Sequence, residues 1–225
     1  MNRFRTEKIR FIQERCNGKR VLDVGCVEHT LEATESSHWL HAKIASVAAS
    51  TIGLDYEAEA VEALNRHGWQ MIAADAQDFD LRDRFPDGFE VIVASEIIEH
   101  LVNPGGFLCS IKKHLAPDGV IILSTPHAYG LVYFAEVLFL GEEKINDDHT
   151  MTFSKKNLDH LLDKCGLVPV EFHYLNQMGL WRTTWWAKAI CWLWWLFQYL
   201  AAFIRPSLSR ELLYVICPKP EAGHG

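Results

Sequence analysis

The sequence predicts an α/β fold, a mostly parallel sheet with helices on both faces, from three observations. Short apolar runs bounded by turn residues alternate with helical patterns, the order that builds βαβ units. Residues 89–94 are apolar almost throughout, as a strand covered on both faces must be. Residues 19–55 read as strand, glycine turn, helix and strand, and the second strand ends on the carboxylate of Asp55. That order forms a nucleoside-binding unit: the glycine lets backbone approach a ligand, and the carboxylate can accept both ribose hydroxyls.

The elements follow in order. Ile9 and Ile12 share one face of a short helix at 5–15 that ends at Asn17-Gly18. The first strand is 20–24. Residues 30–49 are helical in parts, with Ser36-Ser37 as a break, and 50–54 is the second strand. A helix at 57–67 stops at His67-Gly68, and 69–73 is the third strand. Phe85-Pro86-Asp87-Gly88 is a turn before the fourth strand. A helix at 104–115 ends at Pro117-Asp118-Gly119, a strong turn signal that opens a fifth strand at 120–124. An irregular stretch to Thr152 carries an apolar patch at 131–140 and the polar cluster Asn146-Asp147-Asp148-His149. Ser154 caps a helix to Lys164, strands follow at 167–174 and 211–217, and 218–225 is a tail. No repeat or low-complexity linker appears, so 1–225 reads as one domain with inserts at 129–152, over the site, and at 179–210.

Composition narrows the function. With 49% hydrophobic and 23% charged residues, the chain is globular and not disordered. A formal charge of −7 argues against nucleic acid as a partner. The six cysteines are scattered without a Cys-x-x-Cys pair, which points to a reducing compartment. The first residues form a charged amphipathic run with no apolar signal core, so a cytoplasmic location is expected.

Six motifs in register then carry a resemblance: VLDVGC at 21–26, IGLD at 52–55, AADAQDF at 73–79, FEVIVASEIIEHLVNPGGFL at 89–108, LAPDGVIILSTPHAYGL at 115–131 and DHTMTFSKKNLDHLLDKCGL at 148–167. The chain resembles the class I, Rossmann-like methyltransferases that use S-adenosyl-L-methionine, in the broad group that includes ubiquinone-pathway and cell-surface-glycan enzymes. The resemblance implies a seven-stranded sheet whose last strand is antiparallel. It also implies that Asp23, Gly25 and Cys26 shape the loop around the methionine end of the cofactor. Asp55 would take the ribose hydroxyls with Tyr56 beside the adenine. Asp75 would take the adenine amino group with a backbone contact from Ala76, and Glu96 and Ile97 would line the cleft. The family usually continues Gly-Cys-Gly-x-Gly, whereas Gly25-Cys26 leads here into Val27-Glu28-His29. A side chain at 27 must then avoid the cofactor, and Glu28 adds charge near a carboxylate-binding site.

Methyl transfer from a sulfonium is a direct displacement, and a hydroxyl acceptor gains from a base near neutral pKa. The candidates are His149 in its polar cluster, His127 past the fifth strand and His100 after the fourth, with His38 and His41 behind them. Asp147-Asp148-His149 is the nearest approach to a metal motif, but adjacent residues rarely converge on one ion, so no metal is expected. The function predicted is O-methylation of a small or lipid-linked acceptor. N- or C-methylation, a non-catalytic cofactor-binding scaffold and a nicotinamide dehydrogenase are the alternatives, the last disfavoured by the single glycine.

The insert at 179–210 holds six of the eight tryptophans, and 189–204 carries no charge. At about 1.5 Å per residue, 185–204 reaches the roughly 30 Å of a hydrocarbon core. A single crossing conflicts with the fold, because the strand at 211–217 must return to the sheet beside 167–174. Tryptophan with Arg182, Lys188, Arg205 and Arg210 around it favours a membrane interface through 181–204 or a lipid substrate. A homodimer contact and plain core are the alternatives.

Overall fold

Val21, Leu22, Asp23 and Val24 alternate sides as a strand requires, and both apolar sides are covered. The computed structural model describes residues 3–27, 34, 36, 38–143, 145–176 and 185–220. Seven strands form one sheet: β1 (Arg20–Val24), β2 (Ser50–Asp55), β3 (Met71–Ala73), β4 (Phe89–Ser95), β5 (Leu115–Pro126), β6 (Leu167–Leu175) and β7 (Glu211–Pro218). Their spatial order is β3-β2-β1-β4-β5-β7-β6. β7 runs antiparallel to both β5 and β6, while the other pairings are parallel. This is the expected mostly parallel sheet with a reversed last strand.

The helices are α1 (Arg3–Cys16), α2 (Leu40–Ala45), α3 (Ala58–Arg66), α4 (Pro104–Lys113), α5 (Leu131–Leu140), α6 (Lys155–Lys164) and α7 (Trp185–Ile204). Leu22, Val24, Ile92 and Ala94 face a core filled by Phe107, Ile111, Leu158 and Leu162 of α4 and α6. Their neighbours Val21, Val91 and Val93 face the other side, where Ile12 of α1 and Ile44 of α2 pack. A two-residue period with both faces apolar is why the strands read as continuous hydrophobic runs.

Three boundaries differ from the sequence reading. The third strand starts at Met71, because Trp69 N–H donates to the Leu64 carbonyl (3.2 Å) and closes α3 instead. The fifth strand absorbs the expected turn: Asp118 takes a left-handed φ of 59°, and the pairing with β4 shifts register between Phe89 and Val91. Within 30–49, α-helix among the described residues is confined to α2. The caps were better signposted. Ser154 and Asn157 form a reciprocal capping box on α6, and Asn103 accepts from Gly106 N–H (2.9 Å) at the start of α4.

Candidate active site

β1 sits where the strand order reverses, with β2 on one side and β4 on the other. Ligands in such sheets bind at the carboxyl ends of the strands beside that point. Parallel register brings the ends of β1, β2 and β4 together, and with them Gly25, Asp55 and Glu96. Gly25 has φ 74° and donates its N–H to the Leu54 carbonyl (2.8 Å). The buried carboxylate of Asp55 accepts from Val27 N–H (2.8 Å) and Glu57 N–H (3.2 Å). Burial raises its pKa, against the pull of those backbone donors. The position where the family usually has its second glycine thus feeds its amide into the Asp55 carboxylate. The Val27 side chain packs with Cys26, Trp39 and Met71, and Glu28 lies outside the described residues.

The other residues expected at the cofactor divide into surface and scaffold. Tyr56 is exposed beside Asp55. Asp75 is exposed and accepts from Gln77 N–H (2.9 Å), with Ala76 buried behind it. Asp23 turns away: its buried carboxylate pairs with His41 Nδ1 (2.9 Å) under the rings of Trp39 and Trp69. Cys26 is buried, and its carbonyl accepts from Trp39 Nε1 (2.7 Å). Asp23 and Cys26 therefore hold the glycine loop from behind through His41 and Trp39. His38 is exposed.

Glu96 is the strained residue of the site. It follows β4 with φ 55°, a left-handed conformation that costs a residue with a Cβ about 1–2 kcal/mol. Its carboxylate, half exposed, accepts from the buried Lys8 Nζ of α1 (2.8 Å), which also pairs with the buried Glu211 of β7. Burial alone would lower the Lys8 pKa, but Glu211 and Glu96 outweigh it and hold the ammonium charged. Ile97 packs over Gly25.

Beyond Glu96 opens a cavity of about 430 Å³. Its walls include Glu99, His100, His127, Tyr133, His149 and Arg210. Glu99 is 1% exposed; its Oε2 accepts from Thr125 Oγ1 (2.9 Å), and its Oε1 has no hydrogen-bond partner. Burial pushes this carboxyl up to about 8. Thr150 N–H donates to the Glu99 carbonyl (2.9 Å), and Thr150 Oγ1 to the Leu101 carbonyl (2.8 Å). Those bonds fold the 146–152 segment back and set the His149 ring edge-on against His100 at 4.6 Å. One ligand atom each of Glu99, His100 and His149 lies within 4.8 Å of the others, a spacing a divalent cation can bridge. The histidine of the polar cluster thus joins Glu99 and His100. His127 is a buried residue of the same cavity wall, with Nδ1 at 3.1 Å from the Ser209 carbonyl and a pKa lowered by burial.

Residues 1–171 match the family profile described as a methyltransferase domain. The chain belongs to the methyltransferase-domain family. It is similar to the ubiquinone biosynthesis O-methyltransferase of Neisseria meningitidis serogroup A, with 27% identity over 175 residues, 71% of this chain and 70% of that protein. The enzyme of the same name from Actinobacillus pleuropneumoniae is 29% identical over 129 residues, where the match spans about half of the relative (51%) and 52% of this chain. In fold it is similar to a SAM-dependent methyltransferase from Archaeoglobus fulgidus, with a TM-score of 0.58, 14% identity, and 96% of this chain and 92% of that one covered. The 1,6-didemethyltoxoflavin-N1-methyltransferase of Burkholderia thailandensis, solved with S-adenosylhomocysteine bound, gives a TM-score of 0.57 at 13% identity, covering 94% and 78%. The cofactor of this methyltransferase is S-adenosylmethionine.

Four residues of this candidate site carry no clear mark in the sequence. Glu99 had a local signal, a second carboxylate three residues after Glu96, but only burial separates it from a solvated helix cap. Lys8, Tyr133 and Arg210 lie in segments remote along the chain, and no local pattern marks them. Gly25 tests the loop directly. A Cβ there would stand 2.8 Å from Ile97 Cδ1 at a φ of 74°. Gly25→Ala is expected to destabilise the methyltransferase by about 1–2 kcal/mol, a fall in Tm of roughly 2–8 °C. Thermal unfolding with and without S-adenosylhomocysteine reads this, and an unchanged Tm with full ligand stabilisation contradicts the tight approach.

Proposed function

We propose that this methyltransferase O-methylates a small or lipid-linked acceptor whose hydroxyl enters the cavity beside Glu99, His100 and His149. The acceptor oxygen attacks the methyl carbon of the sulfonium, the carbon–sulfur bond breaks, and S-adenosylhomocysteine leaves neutral. The hydroxyl proton has to go elsewhere, and a nearby base speeds that step. The observation carrying the reading is Glu99, a buried carboxyl with one unpartnered oxygen at the cavity wall and two imidazoles beside it. The names of the relatives favour oxygen as the accepting atom. Lys8 holds Glu96 between the cofactor loop and the cavity, where it can orient both substrates.

A second reading of the same cluster is favoured by its donor set. A carboxylate and two imidazoles can hold a divalent cation, which would lower the pKa of a bound hydroxyl and take the place of the Glu99 proton. The two readings separate on chelation. If the cation serves, EDTA followed by desalting should cut turnover at least about tenfold and added Mg²⁺, Mn²⁺ or Zn²⁺ should restore it. If the cluster acts as base alone, the treated enzyme keeps its rate.

The test of the main proposal is transfer of labelled methyl from S-adenosylmethionine to catechols with and without a prenyl chain. Product with the label on oxygen supports it. Label on nitrogen or carbon of parallel amine and enolic acceptors, with none on any hydroxyl, overturns it.

A further inference from the structure

We infer that α5 and α7 form a docking surface for an anionic lipid bilayer, lying in its headgroup region beside the cavity mouth. No helix among the described residues is long and apolar enough to cross a membrane, which leaves the interface plane for α7. α5 has two apolar faces with different neighbours. Val132 and Ala135 are buried, Tyr133 lines the cavity, and Phe134, Val137, Leu138 and Phe139 are 48–73% exposed. On α7, Trp192, Tyr199, Leu200, Phe203 and Ile204 recur every three to four or seven residues and are 41–79% exposed. Phe139 meets Trp194 edge-on with ring centroids 6.2 Å apart, so the helices adjoin. With Phe197, 53% exposed, these make ten large apolar side chains on two adjoining helices, more than the scattered exposure normal for a soluble surface.

Charge decides what fits the patch. Across α5 and residues 185–210 the basic residues are Lys188, Arg205 and Arg210, and the one acid is Glu136, whose Oε2 is buried. Glu142 and Glu143 follow α5 past Gly141, which places the anionic partner at the α7 side. In a chain of net charge −7, this local reversal of sign matches an anionic headgroup layer. Tryptophan and tyrosine on such a helix suit the boundary between acyl chains and water. Both helices are also continuous with the cavity wall. His127 and Ala128 lead into α5, and α7 leads through Arg205 and Ser209 to Arg210, with the Ser209 carbonyl bonded to His127. Arg210 stands over the Tyr133 ring at 5.7 Å, tying the two approaches together. A membrane-resident acceptor would enter without leaving the lipid, so this inference deepens the lipid-linked acceptor of the preceding reading.

Flotation with vesicles tests it, using the intact protein and the exposed pair Phe139→Glu and Phe203→Glu, neither of which touches the cavity. Wild type should rise with phosphatidylcholine–phosphatidylglycerol vesicles and much less with pure phosphatidylcholine, and added salt should weaken it. The double variant should partition at least about tenfold more weakly. Calorimetry with S-adenosylhomocysteine runs in parallel: unchanged binding in the variant shows that it is folded, and failed binding in wild type counts against the cofactor site and not the docking surface. Wild type that stays unbound with every vesicle overturns the inference. So does light scattering showing a stable dimer that Phe139→Glu and Phe203→Glu split, since a second copy would then own the patch.

Discussion

Asp55→Ala is expected to weaken S-adenosylhomocysteine binding roughly 10²- to 10⁴-fold, from the loss of two charge-assisted hydrogen bonds to ribose at about 1.5–3 kcal/mol each. The carboxylate stands at the carboxyl end of β2, against the glycine loop of β1, where a nucleoside must lie in a sheet of this order. It is already desolvated, so a ligand hydroxyl gains a strong acceptor with little further loss of water. The same oxygens accept from Val27 and Glu57 N–H, so alanine also loosens the loop. Asp55→Asn separates the effects. It keeps the shape and one of the two acceptors for the loop, so it should lose less Tm than alanine while still binding at least about tenfold more weakly. Calorimetry that gives either variant the wild-type Kd would remove Asp55 from the cofactor site.

Glu99→Gln is expected to lower kcat roughly 10²- to 10⁴-fold while the Kd for S-adenosylhomocysteine moves less than about threefold. Glutamine fills the same volume, and its amide oxygen can still accept from Thr125 Oγ1, so the fold should hold. What it cannot do is take a proton or exchange one for a cation, the two roles open to a buried carboxyl whose pKa burial pushes up to about 8. His149→Ala gives a related but smaller loss, because His100 and Glu99 remain. A Glu99→Gln enzyme with wild-type kcat on its acceptor would place the proton's destination outside this cluster and turn attention to His127, which lines the same cavity.

Much of the candidate cofactor half was legible along the chain. Gly25, Asp55 and Glu96 each follow a strand directly, and strand ends in a parallel sheet share one edge, so sequence position translates into spatial position. The acceptor half follows no such rule. His149 reaches His100 only because Thr150 is bonded to the Glu99 and Leu101 carbonyls, bonds between segments some fifty residues apart in sequence. Asp23 illustrates the reverse case. Its place before Gly25 suggests a part in shaping the loop, but only the packed chain shows its buried side chain paired with His41.

By itself the sequence determined the alternation of strands and helices, the reversed last strand through its family motifs, the carboxylate that ends the second strand and the unusual apolarity of 185–204. These are local properties, set by periodicity, capping and turn chemistry within a few residues. Only the tertiary structure decided that Lys8 grips Glu96 and Glu211, that Glu99 is buried beside two histidines, and that α5 and α7 expose adjoining apolar faces. Those facts depend on which groups lose water and which remote segments meet. Burial and charge pairing are properties of the packed chain, and no window of sequence contains them.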